Sequence, residues 1–126
     1  MGGRYVYGFV RRDIPLVNQI VQFGHAAYEH ALNLQPFEDK EPSSFVLFEV
    51  KDEMELVSIE KYLSQNIPGE YTIFYEDYFP KGYTSLITSP FDSDDPKRLL
   101  FKKFLLYREP SSVIFTGEWN KPAREI

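Results

Sequence analysis

Cysteine is absent from all 126 residues, which excludes a disulfide framework, a thiolate metal site and a cysteine nucleophile together. Long apolar runs are missing as well. Stretches such as Phe45-Val46-Leu47-Phe48 fall far short of the roughly 20 residues that a membrane helix needs. The opening Met1-Gly2-Gly3-Arg4-Tyr5 has neither the charged nor the apolar region of a secretory leader, so a cytoplasmic protein without a membrane partner is expected. There is no surplus of positive charge either. Against 19 Asp and Glu stand 14 Lys and Arg, and a net charge of −5 disfavours a general nucleic-acid coat. Two local basic groups remain, Arg11-Arg12 and Lys97-Arg98 with Lys102-Lys103; each reads either as a phosphate contact or as solvated surface charge. No G-x-S-x-G elbow and no glycine-rich phosphate loop occurs, which weakens serine-hydrolase and nucleotide-binding readings.

What is present is a core. Hydrophobic residues make up 43% of the chain and aromatic residues 17%, supplied by 11 Phe, 9 Tyr and 1 Trp, enough for one packed domain over residues 1–126. Its core should span about residues 5–107, with 108–126 as a C-terminal extension. Tyr5 to Val10 reads as a strand, and Asp13-Ile14-Pro15 as a helix entry with Pro in the first turn. Val17, Ile20, Val21, Gly24, Ala27, Tyr28 and Ala31 recur at helical spacing and predict the buried side of a first helix that frays near Asn33. Gln35 to Ser44 reads as a loop, and Phe45 to Val50 as a second strand.

Asp52 and Glu55 then form a capping-box pattern for a second helix whose buried stripe is Leu56, Ile59 and Leu63, ended by Pro68-Gly69. Tyr71 to Tyr75 and Thr84 to Thr88 predict a strand pair joined by a loop. Asp95-Pro96 predicts a capped third helix with Leu100, Phe104 and Tyr107 on one face. Val113-Ile114-Phe115 could add an edge strand, and Asn120 to Ile126 reads as a frayed tail. A strand–helix–strand crossover favours parallel pairing and a short loop favours a hairpin, so the class is α/β: a mixed sheet of four or five strands carrying three helices.

Steps of 4, 3 and 4 residues return to one side of a helix, which places Asn18, Gln22, His25 and Glu29 in line. Such a stripe is either a reactive face, with Glu29 tuning a histidine that titrates near neutral pH, or the solvent side of an amphipathic helix. His30 lies off the stripe and reads as a surface residue. His25 and Glu29 make only two ligands, so no metal site is assigned, and no cofactor is implied.

The run Tyr5 to Ile14, with Arg11-Arg12-Asp13-Ile14 at its end, followed by Gln22-Phe23-Gly24-His25-Ala26-Ala27, resembles the strand–Arg-x-Asp-Leu and Gln-x-x-His-Ala-Ala signature of the archaeal and eukaryotic peptidyl-tRNA hydrolase 2 family. Phe45 to Val50 with Asp52-Glu53 and Leu56 is similar to its second strand and acidic helix start, and Asp77, Thr84 and Pro90 fall where its later site motif lies. The short Asp77-to-Thr84 connection and Lys102-Lys103-Phe104-Leu105-Leu106-Tyr107 look most like the divergent peptidyl-tRNA-hydrolase-domain-containing branch. The resemblance covers about residues 5–107. It implies hydrolysis of the ester between a peptide and the 3′ end of tRNA, with Asp77 as base or water-orienting group, Thr84 as a donor and His25 positioning substrate or handling protons. Arg11, Asn18 and Gln22 would hold the substrate, and Tyr78, with Tyr75, Phe79 and Tyr83 nearby, would stack the terminal bases.

Two departures bear on activity. Asn18 stands where the family carries a lysine, and of its Asp-Ala-Gly-x-Thr loop only Asp77 remains. The alternative is a binding module of the same fold that has lost catalysis and recognises an RNA end or a protein partner. A third reading is a small-molecule hydrolase or transferase on this scaffold. Monomer and homodimer are both open.

Overall fold

A computed structural model describes residues 3–33 and 43–108. The anticipated strand at Val113-Ile114-Phe115, the tail from Asn120 and most of the loop Gln35 to Ser44 lie outside the described residues.

The elements run β1 (Arg4–Arg11), α1 (Leu16–Leu32), β2 (Ser44–Val50), α2 (Glu53–Asn66), β3 (Tyr71–Glu76), β4 (Gly82–Thr88) and β5 (Phe91–Asp92), followed by a 3-10 helix over Pro96–Phe101. They build a single mixed α/β sheet in the order β2-β1-β4-β3, with β5 also paired to β1. β1 and β2 are parallel from Tyr5↔Ser44 to Arg11↔Val50, as a crossover through α1 demands. β3 and β4 form the antiparallel hairpin. β1 lies in the middle with helices on both faces, which is why Val6 to Val10 is continuously buried instead of alternating.

The two faces differ in character. On the α2 face, Leu56, Leu63 and Ile67 pack with Phe9, Phe48, Leu86 and Phe101 into the main core. Tyr7 and Phe101 stack with ring centroids 4.1 Å apart, and Phe104 meets Phe9 edge-on at 5.0 Å. On the α1 face a smaller cluster of Val6, Ala26 and Ile87 is joined by Phe23 and Phe74. Gly8 makes room there. A Cβ at Gly8 would come within 2.3 Å of the Phe23 ring, so the glycine lets α1 settle onto β1.

α1 packs the other way round from the expectation. Its buried residues are Gln19, Gln22, Ala26 and His30, whereas Val17, Ile20, Val21, Tyr28 and Ala31 face outward. Hydrogen bonding explains the reversal. Gln19 donates to the Ile14 carbonyl and accepts from the Tyr107 hydroxyl, and both nitrogens of His30 are engaged by hydroxyls, of Thr72 at 2.7 Å and Ser89 at 3.0 Å. His30 is therefore a buried tie between helix and sheet and not a surface residue. Pro15 sits at the N-cap itself, and no side chain caps this helix.

The capping motif at α2 forms in a modified way. Asp52 accepts from the Glu55 amide, while the Glu55 carboxylate reaches the Lys51 amide, one residue further back than the usual box. Beyond Asp95, which caps the Lys97 amide, the third helix is a short 3-10 segment that ends at Phe101. Phe104 and Tyr107 are not on its face. The chain straightens and hydrogen-bonds along the outer edge of β2, with the Glu49 amide donating to Leu105 and the Tyr107 amide to Leu47. Burial of Phe101 and Phe104 together with the unpaired β2 edge outweighs continuation of the helix.

Candidate functional site

The flank of α1 that overhangs β3 gathers most of the polar groups. Alternation along β3 sends Thr72, Phe74 and Glu76 towards α1, where they meet His30, His25 and Gln22 in turn. Asn18, Gln22, His25 and Glu29 do share that flank, but at different depths. Gln22 is 2% exposed, Asn18 is half-buried, and His25 and Glu29 are exposed.

Gln22 is the hub. Its Nε2 donates to Glu76 Oε1 at 2.8 Å, its Oε1 accepts from the Thr84 hydroxyl at 2.8 Å, and its backbone carbonyl accepts from the Ser85 hydroxyl at 2.7 Å. Thr84 is fully buried, so its hydroxyl fixes the orientation of the Gln22 amide and is not presented to solvent. The half-buried Glu76 carboxylate is the outer end of this chain. Its other oxygen accepts from the Tyr78 amide at 3.1 Å. The hydrogen bond from Gln22 above all, then those from the Tyr78 and Asp77 amides and the nearby charge of His25, hold it below the usual glutamate value. His25 lies flat on Phe74, with ring centroids 4.9 Å apart. In the loop that follows Glu76, Tyr78 and Phe79 are 81% and 75% exposed.

Asp77 follows Glu76 at the start of the loop. Its side chain is exposed and its amide serves Glu76, so Glu76 holds the inward carboxylate position. Sequence reasoning passed over Glu76, although the period of two from Thr72 through Phe74 would have placed it on the α1 side.

Arg11 is already occupied. Its guanidinium forms a two-pronged pair with Asp13 at 2.8 and 2.9 Å and donates to the Tyr83 carbonyl at 3.0 Å, and the Asp13 bond is the main reason its pKa is raised. Arg12 is bound to Glu49 at 2.6 Å and lies 4.5 Å above the Tyr107 ring. Glu49 also pairs with Arg108. Burial opposes its ionisation, but bonds from the Arg108 amide and guanidinium and the charge of Arg12 bring its pKa below the usual value. The later basic group is engaged too: Lys97 pairs with Glu70, Arg98 binds Tyr7 and stacks on Tyr5, and Lys103 sits 3.6 Å over Tyr62. Arg11, Arg12 and Lys97 are thus paired with carboxylates, whereas Arg98 and Lys103 are held by hydroxyl, carbonyl and ring contacts and keep their charge.

A cleft of 610 Å³ opens on the other face of the sheet, between β2 and the 3-10 segment, with Tyr7, Phe48, Asp94, Arg98, Leu99 and Phe104 among its walls. Arg98 and Lys102 of the later basic group line it, but His25, Asp77, Thr84, Arg11, Asn18, Gln22 and Tyr78 do not. Among the described residues no group of three His, Asp or Glu side chains is arranged to hold a metal, and no helix is long and apolar enough to cross a membrane.

No protein-family description matches this sequence, and no curated protein matches it. Among solved structures, a protein of unknown function from Agrobacterium tumefaciens strain C58 superposes with a TM-score of 0.61 at 11% identity, over 86% of this chain and all of that one. At that identity the similarity is one of fold.

Proposed function

We propose that the chain hydrolyses an acyl ester at the 3′ end of tRNA, slowly, on the shelf between α1 and the β3–β4 loop. The observation that carries this is the Thr84–Gln22–Glu76 hydrogen-bond chain ending in an ionised carboxylate beside the solvent-facing His25. Glu76 would orient the attacking water, and its lowered pKa makes it a weak proton acceptor, which limits the rate. His25 handles the proton, Gln22 and Thr84 hold the carboxylate in place, and Tyr78 and Phe79 offer ring faces for the terminal bases. Asp77 has a secondary part through its amide.

A second reading, a binding module for an RNA end or a protein, is favoured by the engagement of Arg11 and Arg12 in ion pairs and by Asn18 in place of a cation. Release of an N-blocked aminoacyl group from tRNA separates the two. The hydrolase reading expects slow turnover that drops at least tenfold in Glu76→Gln and in His25→Ala, with Asp77→Ala close to wild type. Turnover indistinguishable from buffer, with tRNA still retained, would establish the binding module. Loss of both would remove the RNA reading.

A further inference from the structure

The outward side of α1 is apolar. Val17, Ile20 and Tyr28 are 70%, 65% and 69% exposed, and Val21 is exposed beside them. The solvent side of a surface helix is ordinarily polar, and a continuous apolar patch of several hundred Å² marks an interaction surface.

The patch is symmetric about Gly24. Three residues to either side stand Val21 and Ala27, the latter half-buried against the inner cluster of Val6, Ala26 and Ile87, four residues away Ile20 and Tyr28, and seven residues away Val17 and Ala31. Within one copy of the chain Gly24 has no packing role, because a Cβ there would meet nothing within 4 Å, in contrast to the crowded Gly8. A mid-helix glycine is less stable than alanine. What it does permit is close approach of a second backbone.

We propose that the chain is a homodimer in which two α1 helices pack antiparallel across a two-fold axis at Gly24. Gly24 then faces its own copy, Val21 meets the partner subunit's Ala27, Ile20 meets the partner subunit's Tyr28, and Val17 meets the partner subunit's Ala31. An isologous contact sets one patch against its own copy, and the spacing about Gly24 lets each apolar residue of the patch face another. None of the seven positions carries a charge, so an acidic chain of net charge −5 can pair here without bringing like charges together along the seam. Leu16, Leu32 and Phe45, also exposed, extend the patch at its margins towards the about 800 Å² per partner of a standard interface. A lipid surface fits less well, since α1 contains no Lys or Arg with which an interfacial helix would engage headgroups.

Sedimentation equilibrium of the full chain reads the oligomeric state directly. A dimer is expected, converted to a monomer of unchanged circular dichroism by Ile20→Glu. Gly24→Leu should weaken dimerisation at least tenfold while the monomer gains helix propensity, a pair of opposite effects that misfolding would not produce. Because the chain has no cysteine, Gly24→Cys should cross-link to a covalent dimer on mild oxidation, and Ser58→Cys on the exposed side of α2 should not. A wild-type chain that stays monomeric overturns the proposal, and does so in favour of a lipid face if that monomer co-sediments with phosphatidylcholine vesicles. A dimer that survives both Ile20→Glu and Gly24→Leu overturns it as well.

Discussion

The imidazole of His30 bridges α1 to the hairpin, with Nδ1 2.7 Å from the Thr72 hydroxyl and Nε2 3.0 Å from the Ser89 hydroxyl. Burial holds its pKa below the ordinary value of 6.5, so the folded chain favours the neutral ring. The folded state then binds fewer protons than the unfolded one. Stability from this residue is present above pH 6.5 and is lost as pH falls through that value towards the lower folded one. Urea unfolding at stepped pH should show this decline in wild type and lose it in His30→Leu, which itself costs about 1–3 kcal/mol by stranding the two hydroxyls. An equal pH slope in both proteins would refute the assignment.

Gly8 and Phe23 should be energetically coupled. Gly8→Ala pushes a methyl into the Phe23 ring and is expected to cost about 1–3 kcal/mol. Phe23→Leu in that background should recover part of the loss, and a double-mutant cycle by chemical denaturation measures the coupling. Strictly additive effects would mean that the ring swings away freely.

The Gln22 amide should control the Glu76 carboxyl. Replacing its head group in Gln22→Met removes the largest cause of the lowered pKa, so the carboxyl resonance of Glu76 should titrate at higher pH in the variant. Carbon-13 NMR follows this without any assay of activity. With a lowered folded value, the stability that this carboxylate contributes is present above its ordinary 4.5 and is lost as pH falls through the folded one. An unmoved resonance would place the main cause elsewhere.

Gly82 is held by two constraints at once. Its φ of 116° suits glycine, and a Cβ there would lie 2.8 Å from the Glu53 carboxylate, which accepts from the Tyr83 amide. Gly82→Ala should cost about 1–3 kcal/mol. Adding Glu53→Ala relieves the contact but not the backbone, so the double variant should remain less stable than Glu53→Ala by thermal denaturation. Full recovery would show that the contact was the whole effect.

Several local features were legible because the groups concerned are close in sequence. Asp52 caps the Glu55 amide and Asp95 the Lys97 amide, each within three residues. The stripe of Leu56, Ile59 and Leu63 is buried, and the two strands after Gly69 pair as a hairpin. The candidate site was legible only in part. Gln22 and Thr84 bond directly, but the carboxylate they hold is Glu76, one position before the acid singled out from the loop, and Arg11 is occupied by Asp13 two residues away.

The sequence by itself determined the α/β class, the order of the elements from β1 to β4, the Asp52 and Asp95 caps and the parallel crossover, all of which follow from periodicity and chain connection over short distances, whereas β5 was not legible in it. Tertiary structure alone decided which side of α1 meets the sheet and where the last helix stops. Periodicity locates an apolar side but does not say what covers it, and the polar side of α1 became the buried one because Thr72, Glu76, Thr84, Ser85 and Ser89, 42 to 63 positions away, satisfy its buried hydrogen-bonding groups. The end of the 3-10 segment likewise depended on an unpaired β2 edge, which offered backbone partners that no local pattern records.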